Sequence, residues 1–193
     1  MADRSRDLAA GEDDDALVAA AKRDSAVFAV LYRRYADVIY RYCHRRLGNR
    51  EAAEDATSLV FTKALDALPR YRAGGFRSWL FAIAHNTIAN DLRGSGREQG
   101  RPIEAASSLA DPSRGPEEIA IGNEARGTIQ GLLALLPDDE RRLLELRLSG
   151  LSGPEIARVL GRSPGAVKVA QFRAIARLRA IIAEGAENRQ GPR

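Results

Sequence analysis

The chain has 193 residues, 45% of them hydrophobic and 6% aromatic, with a formal net charge of +4 and one cysteine. That apolar content supports one ordinary domain or two small ones, and the prevalence of Ala, Leu, Arg and Glu over β-branched runs favours an all-α protein. A lone Cys43 excludes an internal disulfide, and no apolar run has the length of a membrane span or the core of a signal peptide, so a soluble, cytoplasmic chain with no membrane insertion is expected.

Residues 1–14 read as a flexible N-terminus and residues 15–93 as a first domain. In 15–47, Leu17, Ala20, Ala21, Phe28, Leu31, Tyr35, Val38, Ile39 and Tyr42 recur mostly every three or four residues, which predicts two amphipathic helices broken near Arg23-Asp24-Ser25. His44, beside Arg45 and Arg46, is expected at the surface. Gly48-Asn49 suits a left-handed C-cap. A third helix follows with Ala53, Ala56, Val60, Ala64 and Leu68 on one side, and Pro69 stops it. "PRYRAGG" at 69–75 is a basic loop, and "FRSWLFAIAHNTIANDLR" at 76–93 returns to helical spacing through Phe76, Leu80, Ile83, Ala84 and Ile88. Four helices therefore make the first domain.

Residues 94–116, dense in Gly, Ser and Pro, predict a flexible linker that spans roughly 26 Å as a coil and roughly 75 Å when stretched. The stretch from Arg97 to Glu124 is net acidic, between a basic first domain and the basic residues Arg162, Lys168, Arg173, Arg177 and Arg179. A second domain is expected over 117–182, opened by the stripe Ile121, Ala125, Ile129, Leu132, Leu133 and Leu136. A helix at "PDDERRLLELRLSG" follows, with acids at its start and glycine at its end. Residues 183–193 read as a frayed tail.

"LSGPEIARVLGRSPGAVKVAQFRAIARLR" at 151–179 changes character at Gly161. Ser152 and Glu155 fit a capping box, Ile156, Ala157 and Leu160 face inward, and Ser163 with Pro164 starts a second helix. Small Ala157, turning Gly161 and apolar Val167 carry the spacing of a helix-turn-helix. Val167, Ala170, Ala174 and Leu178 then form the buried seam, leaving Lys168, Phe172, Arg173 and Arg179 on an acid-free face suited to phosphate. Val169 and Phe172 either touch thymine methyls or pack on the preceding helix or a partner protein. Gln171 either reads adenine or borders the seam.

These strings, with "AEDATSLVFTKALDALPRYR" ahead of them, stand in the order found in compact bacterial sigma factors. Over residues 15–182 the chain resembles an RNA polymerase sigma factor of the extracytoplasmic-function class. The resemblance implies two small helical domains joined by a flexible linker, the second a helix-turn-helix domain of four helices. It implies partners as well: core RNA polymerase, through the clamp helices of the largest catalytic subunit and the flap region, promoter DNA, and an anti-sigma factor. Promoter elements some twenty base pairs apart lie roughly 70 Å from each other, which explains a long linker. No covalent chemistry, cofactor, metal or small-molecule substrate is implied.

By the same resemblance, Glu54, Asp55, Val60 and Phe61 carry the polymerase-docking surface. Arg70, Tyr71 and Arg72 form the loop that captures a flipped base, with Tyr71 either a stacking surface or a loop anchor. Asn86 and Asn90 contact the minus-ten element, with Arg77, His85 and Arg93 on its phosphates, and Trp79 is expected in the core. Arg162, Ser163, Lys168, Val169, Gln171, Phe172 and Arg173 contact the minus-thirty-five element. The chain departs from its class at Ser58-Leu59 and Val169-Ala170, so its docking details and promoter sequence do not transfer. It also has Ala82-Ile83 where primary sigma factors carry a tryptophan pair. The competing reading is a helix-turn-helix regulator whose N-terminal half senses a ligand and never joins polymerase. An enzyme using His44 and His85 lacks metal-ligand spacing and a nucleophile–base pair.

Overall fold

A computed structural model describes residues 14–72, 74–95 and 129–189, with residues 91–95 and 185–189 described by backbone alone. The flexible N-terminus expected over 1–14 lies outside them except for Asp14, as do most of the linker and the stripe positions Ile121 and Ala125. Helix α1 runs over 14–21 and ends where the sequence predicted a break. Asp24 accepts from the Ala26 amide at 3.0 Å and starts a short 3-10 turn, Ser25–Val27, that leads into α2, Phe28–Leu47. The Asp14 carboxylate is buried and accepts from Arg34 at 2.6 Å and from the Tyr35 hydroxyl, fixing α1 to α2.

Phe28, Leu31, Tyr35, Ile39 and Tyr42 are buried along one stripe of α2. The Gly48-Asn49 joint is divided between two helices: Gly48 closes α2, and Asn49 opens α3, Arg50–Ala67, by accepting from the Glu51 and Ala52 amides. All five predicted α3 positions, Ala53, Ala56, Val60, Ala64 and Leu68, are buried, and the alanines let α3 lie close to its neighbours. A 3-10 turn, Leu68–Arg70, leads to the loop, and α4, Phe76–Ser95, buries Phe76, Leu80, Phe81, Ala84 and Ile88. Tyr42 and Phe81 meet edge to face at 5.4 Å, joining α2 to α4.

In the second domain, α5 covers 129–134, α6 Asp138–Leu148, α7 Gly153–Leu160 and α8 Pro164–Arg189. Leu133, Leu136, Leu143, Leu146, Leu151, Ile156, Val167 and Ala174 form its core. Helix α8 continues past the expected end at 182 through Arg189, since "AEGAENR" contains good helix formers and no proline. The larger departure concerns the domains themselves. Instead of standing apart they touch, α4 against α7 and α2 against α6.

Leu31 is fully buried at the centre of the first domain, whereas Leu65 on α3 is exposed. Leu31→Ala is expected to cost about 3 kcal/mol in urea unfolding, and Leu65→Ala less than about 0.5 kcal/mol.

Candidate nucleic-acid interface

The helix-turn-helix forms as its sequence requires. At the start of α7 the Glu155 carboxylate accepts from the Ser152 amide at 2.7 Å and from its hydroxyl at 2.6 Å. Gly161 follows at φ 62°, a left-handed conformation that a side chain would oppose, and Ser163 caps α8 by accepting from the Ala166 amide at 3.2 Å. Val167 and Ala174 are buried on α8, with Ala170 and Leu178 packed beside them. Gln171 lies half-buried at the edge of this seam. Lys168, Val169, Phe172 and Arg173 are exposed on the other side. At 75% exposure Phe172 does not pack on the preceding helix, and Val169 is half exposed beside it.

The basic residues are not all unopposed. Arg162 pairs with Asp139 at 2.5 Å and Arg177 with Glu140 at 3.0 Å, so acids in the first turn of α6 neutralise two of the five cations. Lys168, Arg173 and Arg179 remain exposed with no ion pair among the described residues. The uncompensated charge is thus concentrated on the outward side of α8 beside Val169 and Phe172, where it suits phosphate while the apolar pair suits methyl groups.

On the first domain, Arg70 and Arg72 are exposed at either side of Tyr71, which is only 6% exposed. Its ring packs on Phe76 at 5.9 Å and Trp79 at 5.0 Å, while Lys22 donates to its carbonyl at 2.6 Å. Tyr71 thus anchors its loop in this arrangement, and half-buried Trp79 belongs to the same aromatic cluster. Asn86 and Asn90 are exposed on α4. Arg77 donates to the Ser149 carbonyl at 2.7 Å instead of facing solvent. The side chain of Arg93 lies outside the described residues.

Glu54 and Asp55 are exposed on α3, Glu54 paired with Arg50 at 2.8 Å. Val60 and Phe61 are not on that surface: both are buried, Phe61 against Phe28 and Tyr32, because they continue the apolar stripe of α3. The exposed apolar groups nearby are Tyr32 and Leu59, which periodicity did not single out because each lies off the stripe.

His44 is half-buried rather than at the surface, and Arg46 beside it is buried. His85 is half-buried too, with Nδ1 3.3 Å from the Tyr42 hydroxyl. Burial, then the charges of Arg142 and Arg46, lowers its pKa below 6.5, which makes it a poor phosphate contact in this arrangement. Cys43 is fully buried, and burial pushes its thiol up to about 11. Among the described residues no group of His, Cys, Asp or Glu is arranged to hold a metal, and no helix is long and apolar enough to cross a membrane.

Two measurements check these environments. Cys43 is expected to resist a thiol reagent in the native protein at pH 8 and to react at once in 6 M urea; equal rates would contradict its burial. His85 has a folded pKa below its unfolded value, so its contribution to stability is complete above about pH 6.5 and is lost as pH falls through the depressed value. His44 is shifted the same way by burial and Arg45. His85→Gln is therefore expected to remove part, not all, of the stability loss between pH 7 and pH 5, read by urea unfolding.

Residues 31–98 match the family model of sigma-70 region 2, and residues 126–178 that of sigma-70 region 4. The ECF RNA polymerase sigma factor SigD of Mycobacterium tuberculosis is 36% identical, over 91% of this chain and 87% of its own. ShbA of Streptomyces griseus, another ECF RNA polymerase sigma factor, is 41% identical over 73% of this chain and 80% of its own. The structure of CnrH in complex with the cytosolic domain of CnrY aligns at a TM-score of 0.66 and 25% identity, covering 87% of this chain and 96% of that one. The fold is also that of RpoE, solved with the anti-sigma factor NepR from Bartonella quintana, at a TM-score of 0.64, 20% identity and coverage of 81% and 96%. With both regions present in order on the helices that build these surfaces, the chain belongs to the extracytoplasmic-function family of RNA polymerase sigma factors.

Proposed function

We propose that this chain binds core RNA polymerase and directs it to promoters, with α8 reading the minus-thirty-five element and α4 with its preceding loop holding the melted minus-ten strand. The observation that carries this reading is α8 itself, whose Lys168, Val169, Phe172 and Arg173 stand exposed on a helix with no acid from Pro164 to Arg179. Arg162 and Ser163 serve the backbone near its start, and Gln171 borders the readable edge. On the first domain Asn86 and Asn90 contact bases, while Arg70, Arg72, Arg77 and Arg93 hold phosphates. Glu54 and Asp55, with exposed Leu59 and Tyr32 close by, form the surface for the clamp helices, and the second domain meets the flap region.

The protein catalyses no reaction of its own and uses no cofactor; it works in the cytoplasm beside polymerase. An anti-sigma factor is its inhibitor, as NepR is the anti-sigma factor held by RpoE, and the regulon serves a stress or envelope response.

Run-off transcription tests the reading. Promoter-specific transcripts are expected when the chain is added to core polymerase alone; a regulator of the competing kind would act only on a holoenzyme already complete. Lys168→Ala and Arg173→Ala are each expected to weaken minus-thirty-five binding and to reduce its salt slope by about 1. Unchanged slopes would remove α8 from the interface.

A further inference from the structure

The loop between α3 and α4 has few constraints of its own. Arg70 and Arg72 are exposed, and two glycines follow, Gly74 at φ 149° and Gly75 at φ 105°, conformations open to glycine and strained for other residues. The Tyr71 amide closes the 3-10 turn on the Leu68 carbonyl at 3.1 Å, and at the far end Ser78 Oγ donates to the Gly75 carbonyl at 2.9 Å. The peptide that joins Tyr71 to Arg72 is held from elsewhere. Lys22, just past the end of α1, donates to the Tyr71 carbonyl at 2.6 Å from 49 residues away, with its ammonium 5.8 Å from the centre of the Tyr71 ring.

Lys22 acts from a firm base. The buried Asp14 carboxylate at the start of α1 accepts from Arg34 and from the Tyr35 hydroxyl, and the Tyr35 ring lies 5.5 Å from Phe76, the first residue of α4. One carboxylate therefore ties α1 to the aromatic cluster on which the loop ends. Between that base and the loop the packing is incomplete: a pocket of about 160 Å³, lined by Asp15, Val18, Ala19, Lys22 and Tyr71, opens where they meet. The course of the chain at Arg72 thus depends on a hydrogen bond more than on close packing. Lys22 is itself exposed, so removing its ammonium leaves the aromatic cluster and the core as they are.

We propose that Lys22 is a positioning residue for this loop: by holding the Tyr71 carbonyl it fixes the pose from which Arg70 and Arg72 grip the melted strand, and it touches no DNA itself. The inference rests on the reading of residues 69–75 as the loop that captures a base of the minus-ten strand. It gives α1 a task that its apolar stripe does not disclose, and it separates Lys22 from the two loop arginines although all three are exposed cations.

The test uses holoenzyme assembled from core polymerase with the wild-type chain, with Lys22→Met or with Lys22→Arg. The probes are the minus-ten non-template strand of one template that the holoenzyme transcribes, and copies of it carrying an abasic site at each position in turn. Wild-type holoenzyme is expected to bind the intact strand about tenfold more tightly than the copy that lacks the captured base. Lys22→Met is expected to lose most of that preference, with the urea-unfolding midpoint of the chain and the affinity for the minus-thirty-five duplex unchanged. Lys22→Arg, which keeps donors for the carbonyl, is expected to retain it. If Lys22→Met weakens intact and abasic strands alike, with a salt slope lower by about 1, Lys22 is a phosphate contact and the proposal is overturned. A Lys22→Met chain that keeps the preference, or a Lys22→Arg chain that loses it, overturns it too. Wild-type holoenzyme indifferent to an abasic site at every position overturns the base-capture reading, and the proposal with it, before any variant is compared.

Discussion

A guanidinium and a carboxylate withdrawn from water have to meet each other or lose their charge, and Arg46 and Glu145 meet from two different domains. That contact is one of two that set the domains against each other, the other being α7 on α4. It sets α6 on α2, brings the α6–α7 turn over Arg77, and leaves α8 facing outward. Burial raises the pKa of the Glu145 carboxyl, the neighbouring Arg46 and Arg141 working in the opposite direction, so the charges oppose but do not cancel the cost of desolvation. A contact balanced so closely decides geometry more than it decides stability.

The same economy of charge operates within the second domain. Asp138, Asp139 and Glu140 lie in the first turn of α6, where the helix dipole favours them. Asp139 and Glu140 also reach across to Arg162 and Arg177, and Asp138 reaches Arg46 in the first domain. Three consecutive acids thus support a helix start, quiet two flanking cations and join the two domains, so the remaining positive charge of α8 falls where its apolar groups are exposed.

Much of this architecture was legible in the residues. The stripes of α2, α3 and α4 read correctly because local periodicity alone determines which side of a short helix is buried, and Ser152, Gly161 and Ser163 announced the two helix boundaries that define the motif. The contacts between distant segments were not legible. Nothing near Arg46 hints that its partner is 99 residues away, and Arg162 and Arg177 read as free because their acids belong to another helix. By resemblance Val60 and Phe61 belong to a docking surface and Tyr71 either stacks on a base or anchors its loop; in the structure an apolar stripe buries the first two and an aromatic cluster holds Tyr71. For Val60 the periodicity already held the answer, since it is one of the five positions on the stripe.

Cys43 lies at the centre of the first domain, and the only other sulfur in the sequence is that of Met1. Peroxide and disulfide reagents attack accessible sulfur, thiolates first. The packed body of this chain is accordingly blind to oxidants. If the genes it switches on answer an oxidative insult, the insult must be perceived by some other molecule, whose altered grip is the message this one receives.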